Sequence, residues 1–287
     1  MKRLLLALLI SAAAAAQASA AWWLENDYAF GSNGLKKNSL TAFVKGKSPF
    51  SSGLNLSFYK DTAAYRERVY SFRVPLMYSG RNYFVSLKPF LYPVSSYTRS
   101  GAYGGKLYLL TSLQEADDES YAHLILSGAW ARQKAFLAGT GAPDRKEFSQ
   151  AAGELQVEKS FYGQFYFLAS AAGFRKPGGG ASNANLVKPA LDQAELAYLG
   201  VFRQVTAIPE WALSAQIARN MRPDFDSHIY AGYSKISFRS EGKAGSLIGG
   251  IKMNLNERST LDLAYDAYKE ENAPAKSYYK VLVQLFF

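Results

Sequence analysis

The chain has 287 residues, of which 15% are aromatic, and it contains no cysteine; its formal net charge is +10 at pH 7. The lack of cysteine excludes both a lipoprotein and a secreted domain held together by disulfides. Beyond the first twenty residues, no run approaches the roughly eighteen consecutive apolar residues of a membrane-spanning helix, so helical membrane proteins are excluded as well.

The first twenty residues have the features of a secretory signal peptide. Lys2 and Arg3 precede an apolar stretch from Leu4 to Ala16, and small residues occupy positions 18–20. This order predicts cleavage before Ala21, because a signal peptidase requires small residues at its site. Removal of the two cations lowers the net charge from +10 to +8. An exported basic chain is expected to meet lipopolysaccharide phosphates and small anions rather than nucleic acid.

The remainder, residues 21–287, is predicted to form one domain of alternating segments separated by turn-rich breaks. In one segment Leu54, Leu56 and Phe58 alternate with polar residues, and in another Leu155 and Val157 do so, which is typical of strands with one apolar face. The predicted strands are 38–47, 52–60, 65–74, 82–92, 102–113, 119–131, 148–159, 161–174, 190–204, 210–220, 225–238, 243–256, 258–270 and 276–287.

The length of these segments predicts an all-β, antiparallel transmembrane barrel of about fourteen strands. A tilted strand crosses a bilayer with roughly 9 to 11 residues, and a sheet in lipid must close on itself to pair every backbone group. With this count, the long breaks at 132–147 and 175–189 lie on the side where turns should be short. Counting WWLENDYAF as a strand corrects this but gives fifteen. A misassignment between 221 and 245 is expected, so twelve and sixteen strands stay open.

The last strand ends the chain on a regular apolar face. Tyr279, Val281, Val283, Leu285 and Phe287 share one face of YYKVLVQLFF. This pattern resembles the assembly signal of Gram-negative outer-membrane β-barrel proteins. The resemblance implies an outer-membrane location, assembly by the barrel assembly machinery, and a last strand that closes the barrel with its apolar face in lipid.

A second, weaker resemblance concerns the stretch LENDYAFGSNGLKKNSL. It is similar to the first strand of outer-membrane lipid A deacylases, which implies Asn26, Asp27 and His123 as candidate catalytic residues. The sequence departs from that pattern at Lys37 and Ser39, where the family has threonine and glycine. His123 and His228 are predicted on separate strands without acidic neighbours at ligand spacing, so no metal site and no cofactor are predicted.

The polar residues that alternate with the apolar faces are predicted to line the lumen. Lys252, Asp262, Asp266 and Lys280 can form a cross-strand ladder of charges if their strands are neighbours. Such a ladder serves either as a selectivity surface or as reinforcement of the wall. The complete set of predicted lumen-lining residues is Glu154, Gln156, Glu158, Lys252, Asn254, Asp262, Asp266, Lys280 and Gln284.

These observations predict a porin-like passive channel for small polar solutes. A barrel of this size encloses more space than its own side chains fill. The alternatives are a lipid A modifying hydrolase and a non-conducting structural or assembly barrel. Which of these holds depends on whether a segment folds into the lumen, and the sequence pattern does not decide that question.

Overall fold

A computed structural model describes residues 21–61, 68–95, 99–114, 120–138, 145–162, 164–221 and 227–287. The predicted signal peptide, residues 1–20, lies outside the described part of the chain. No helix among the described residues is long and apolar enough to cross a membrane.

Strands dominate the described chain, and most of them have the length of the predicted segments. Their bounds are β1 Ala21–Gly31, β2 Leu35–Lys45, β3 Phe50–Lys60, β4 Val69–Arg73, β5 Leu76–Ser79, β6 Tyr83–Tyr92, β7 Gly101–Gln114, β8 Ala122–Leu137, β9 Arg145–Phe161, β10 Phe165–Phe174, β11 Leu186–Val187, β12 Pro209–Asn220, β13 His228–Phe238, β14 Gly242–Asn256, β15 Ser259–Glu270 and β16 Lys276–Phe286.

The wall is a single antiparallel sheet that closes on itself. Each wall strand pairs with its neighbour in sequence, and β1 pairs with β16 from Trp23 opposite Phe286 to Gly31 opposite Tyr278. β4 and β5 are two parts of one strand, interrupted at Pro75, and both pair with β3 and β6. β11 lies off the wall. The prediction of an all-β antiparallel barrel with fourteen strands is therefore confirmed.

Two errors of assignment cancelled in the predicted count. WWLENDYAF is a wall strand, β1, whereas 190–204 is not a strand; the segment predicted at 225–238 is correct, as β13. The pattern at 190–204 was mistaken for a strand because this segment packs inside a lumen that has both polar and apolar side chains. It therefore carries the same mixture of residues as a strand that faces lipid on one side. When β1 is counted as a wall strand and 190–204 is not, the long breaks lie at the end of the barrel where long connections are expected.

Ala21, the first described residue, and Phe287, the last, lie at the same end of the barrel, which we call the terminal end; the other is the distal end. The turns at the terminal end include 46–49, 80–82 and 257–258, whereas the longest connection, 175–208, lies at the distal end. Outer-membrane barrels have short periplasmic turns and longer extracellular loops.

The outer face of the wall is apolar between two groups of aromatic side chains. At the terminal end, Trp22 stacks on Phe287 with 3.8 Å between ring centroids, and toward the distal end Phe30 stacks on Tyr279 at 5.4 Å. Exposed leucines such as Leu247 fill the band between such groups. A lipid-facing band bounded by aromatic girdles is the expected outer surface of a transmembrane barrel.

The inner face changes character along the barrel axis. Near the distal end of the strands it carries buried apolar side chains, among them Leu35, Val69, Tyr92, Phe174 and Tyr278. Toward the terminal end it carries mainly polar and charged side chains. The inner wall thus provides a hydrophobic surface in the distal half and a wet one in the terminal half.

Candidate functional site

Residues 175–208, which we call the lumen segment, connect β10 to β12 by passing through the inside of the barrel. The segment contains β11, which pairs with the protruding end of β8, and a short 3-10 turn at Gln193–Glu195. Its side chains and backbone contact inward-facing residues of strands on all sides of the wall. Only a segment inside a closed barrel can reach all of them, so the lumen segment narrows the passage.

Two ion pairs attach the lumen segment to one side of the wall. Lys37 Nζ on β2 lies 2.7 Å from Asp192 Oδ2, and Arg73 Nε on β4 donates to Glu195 Oε2 at 2.7 Å. Tyr92 on β6 donates its hydroxyl proton to the other oxygen of Glu195 at 3.0 Å. Both carboxylates are largely shielded from water, so each depends on its cation for compensation.

Wall carboxylates hold the other side of the lumen segment through its backbone. Glu154 on β9 accepts a hydrogen bond from the Tyr198 N–H at 3.1 Å, and Asp266 on β15 accepts one from the Phe202 N–H at 2.9 Å. Burial raises the pKa of the Tyr198 phenol, and the nearby Glu154 and Asp266 carboxylates raise it further, so this phenol stays neutral. Charge-assisted hydrogen bonds of this kind are about twice as strong as neutral ones.

Local sequence explains how the lumen segment keeps its irregular course. Asp192 caps the 3-10 turn by accepting from the Ala194 N–H at 3.2 Å, and the same oxygen accepts from the Val205 N–H at 3.1 Å. Gly200 has φ +60, and a Cβ placed there would overlap the Ser234 hydroxyl of β13. A left-handed conformation at a close backbone approach requires glycine.

An apolar core joins the lumen segment to the distal half of the wall. Leu191, Leu196, Leu199 and Val205 of the segment are buried in one cluster with the distal apolar side chains of the wall. Burial of such a side chain contributes about 1.5 to 3 kcal/mol relative to exposure. The lumen segment is therefore packed in place and does not merely lie in the channel.

The terminal half of the barrel keeps open space, which we call the vestibule. It includes a cavity of about 300 Å³ under Tyr198 and Phe202 of the lumen segment. A second cavity, of about 260 Å³, shares Gln216 and His228 with the first. Charged side chains of both signs line this space, namely Asp27, Glu158, Lys252, Asp262 and Lys280.

The residues predicted to line the lumen are distributed between the lumen segment and the vestibule. Glu154 and Asp266 bind the lumen segment, while Lys252, Asp262 and Lys280 line the larger cavity. The ladder forms in part: Lys280 Nζ lies 2.8 Å from Asp262 Oδ2, Lys252 is opposite Asp262 in the sheet, and Asp266 turns to Ser246 and the lumen segment.

The remaining predicted lumen residues bond to their neighbours on the wall. Gln156 donates to Glu154, and Glu158 lies 3.6 Å from His123 Nδ1. Gln284 donates to Glu25 at 2.9 Å, and the backbone N–H of Asn254 donates to Ser227 at 3.0 Å.

The structure does not bring the three candidate catalytic residues together. Asn26 pairs with Asn38 at 2.8 Å, and Asp27, its neighbour, points to the opposite face and lines the vestibule. His123 is on β8, six wall positions from β1 in a fourteen-strand barrel, and stacks on Tyr121. No group of His, Asp and Glu side chains among the described residues could hold a metal ion.

The residues of the predicted assembly signal lie on the outer face of β16. Tyr279 and Leu285 are exposed there, Val281 and Val283 lie between them, and Phe287 stacks on Trp22 of β1. The backbone N–H of Phe287 also donates to the Trp22 carbonyl at 2.9 Å. Phe287 is thus tied to the first wall strand.

Sequence reasoning missed the ion pairs that hold the lumen segment, which join Lys37 and Arg73 of the wall to Asp192 and Glu195 of the segment. A signal was present: DQAE places two carboxylates three residues apart in a segment read as membrane-spanning. A strand with alternating faces would put residues 192 and 195 on opposite sides, one of them in lipid. That conflict favours a segment outside the wall.

No protein-family model matches the chain, and no curated protein resembles its sequence. Solved structures do resemble its fold. CdiB from Acinetobacter baumannii has 10% identity and a TM-score of 0.52, with 94% of this chain and 60% of that one covered. The chain therefore spans about 60% of the length of CdiB.

A mutant of the monoaromatic hydrocarbon channel TodX, with its S2 and S3 deleted, has 12% identity and a TM-score of 0.53, with 94% and 91% covered. The toluene transporter TodX of Pseudomonas putida has 13% identity and a TM-score of 0.49, with 98% and 93% covered. The likeness to CdiB and to the TodX mutant, both with TM-scores above 0.5, shows a shared barrel fold.

Proposed function

We propose that this protein is an outer-membrane channel for small polar solutes whose passage is set by the lumen segment. In this proposal the signal peptide exports the chain, the terminal end faces the periplasm, and the distal end faces the outside. The vestibule receives solutes, and the lumen segment forms the constriction above it.

The observation that carries this proposal is the contrast between the two halves of the lumen. Charged residues such as Lys252 and Asp27 line cavities of the terminal half, although burial of unpaired charge is costly. A wall of this kind suits water and polar solutes. Apart from the two-residue pairing of β11 with β8, the lumen segment is held by individual ion pairs, hydrogen bonds and packing. The closed ladder of the wall does not depend on it, so the segment can be displaced while the barrel stays closed.

A non-conducting structural barrel is the second candidate. The apolar cluster around Leu191, Leu196 and Leu199 favours it, because packed apolar side chains in the distal half of the lumen oppose the entry of water there. The lipid A hydrolase has no comparable support, since Asn26 and Asp27 point to opposite faces of β1.

Conductance of the purified protein in planar bilayers tests the proposal. The wild type is compared with a variant in which residues 178–206 are replaced by a short glycine-serine linker. A short linker can connect the ends, because β10 and β12 are paired up to Gly173 opposite Trp211. We expect small, steady conductance from the wild type and a conductance several-fold larger from the shortened variant.

A silent wild type beside a conducting shortened variant would favour the non-conducting barrel. Equal conductance from the two proteins would show that the lumen segment does not set the passage. Insertion is verified in each case by the resistance of the folded protein to unheated detergent.

A further inference from the structure

Three lysines form a patch on the outer face of the barrel at its distal end. Lys235 on β13 and Lys269 on β15 lie opposite Gly245 of β14, one on each side, and Lys243 is two residues further toward the distal end of β14. All three side chains are exposed and alternate with buried inward-facing residues. This lysine patch surrounds a surface cavity of about 410 Å³.

The positive charge of the lysine patch is not neutralised by ion pairs. Within the described part of the chain, none of the three lysines has a carboxylate within 4.0 Å. Glu271 also lines the cavity, but its carboxylate accepts a hydrogen bond from the backbone N–H of Lys243 at 3.1 Å. Glu270 forms ion pairs with Arg203 and Lys276. The lysine ammonium groups are therefore available to an external anion.

An apolar groove adjoins the lysine patch on the side toward the membrane. It has a volume of about 510 Å³ and is lined mainly by Leu155, Val157, Ala169, Ala171, Leu213 and Ala215. Tyr233 and Lys235 line both this groove and the cavity of the patch. Small alanines between larger side chains leave a depression in the lipid-facing surface, and its apolar lining suits an alkyl chain.

A ligand that occupies both features at once carries an anionic group and an apolar chain in one molecule. We propose that this surface binds a phosphorylated, multiply acylated lipid of the outer leaflet, with its phosphate on the lysine patch and an acyl chain in the groove. The inference goes beyond the proposed function and uses from it only the membrane location and orientation. Lysines at a membrane surface attract anionic lipids, and the glycolipid of the outer leaflet supplies phosphate at this level.

Binding of diphosphorylated lipid A to the full-length barrel in detergent micelles tests the inference. Wild type is compared with the triple variant K235Q/K243Q/K269Q and with a control of equal charge change, K45Q/K47Q/R258Q, which alters exposed cations at the terminal end. We expect the first variant to bind at least about tenfold more weakly and the control to bind like wild type. Lipid A with its phosphates removed should bind all three proteins weakly.

Equal binding by the two triple variants would overturn the proposal, as would equal wild-type affinity for the dephosphorylated lipid. A lipid-independent dimer that covers the patch, detected by cross-linking, would also overturn it. If the triple variant does not fold, K269Q alone carries the test, with an expected loss of a few-fold against K47Q. Bilayer conductance of the same proteins separates this result from that of the proposed function, because the patch lies outside the lumen.

Discussion

Arg73 is a wall residue that binds the lumen segment directly. Its side chain donates to Glu195, Asn55 and Ser57 and is mostly shielded from water. Arg73→Gln leaves the Glu195 carboxylate buried without its cation, so we expect the free energy of unfolding to fall by about 3 to 5 kcal/mol. Urea titration in detergent micelles measures it.

The matched control for this change is Arg132→Gln. Arg132 pairs with Glu147 at 2.6 Å, but both side chains are nearly half exposed. An exposed pair contributes at most about 1 kcal/mol. Equal losses from the two substitutions would contradict the anchoring role of Arg73.

Gly200 is a residue at which the backbone of the lumen segment closely approaches the wall. Gly200→Ala combines a left-handed φ with an overlap of Cβ and the Ser234 hydroxyl. We expect it to displace the segment locally and to raise both the urea sensitivity and the bilayer conductance. Gly180→Ala is the control, because φ is +76 there and the space around the new Cβ is open.

Gly180→Ala should cost only the roughly 1 to 2 kcal/mol of the left-handed conformation and leave conductance unchanged. If both glycine variants behave alike, the backbone conformation alone explains the effect, and contact with Ser234 does not position the segment.

At the scale of the element, β16 separates lipid from lumen with alternate residues. Val283 lies on the outer face between the aromatic girdles, whereas Gln284 bonds to Glu25 and Thr260 inside. Val283→Lys should therefore cost roughly 2 to 4 kcal/mol at mid-membrane and block assembly, while Gln284→Lys should be tolerated beside the Glu25 carboxylate. The yield of folded barrel in outer-membrane fractions measures both. Greater damage from the Gln284 change would contradict the assigned faces.

At the scale of the whole molecule, closure of the sheet between β1 and β16 removes every free edge from the wall. Release of any one wall strand then requires the loss of its hydrogen-bond ladders to both neighbouring strands. We therefore expect the folded protein to resist unheated detergent. Gel electrophoresis with and without boiling should give two mobilities, and cell fractionation should place the protein in the outer membrane. Recovery from the soluble periplasm with a single mobility would contradict the barrel in its membrane.

The sequence by itself determined the fold class and the two faces of most wall strands. Alternation in segments such as β3 and β14 records which residues meet lipid, because the lipid environment imposes an apolar side chain at every second position. The outward position of Val283 and the inward position of Gln284 follow from that rule alone. The strand count was correct only because β1 replaced 190–204.

Only the tertiary structure decided what fills the barrel. Asp192 and Glu195 bind Lys37 and Arg73 across more than a hundred residues of sequence, and no periodicity encodes such a contact. A segment inside the lumen is surrounded by inward-facing residues on all sides, so its polar and apolar positions follow the particular side chains that it meets. The course of the lumen segment and the vestibule beside it arise from that packing.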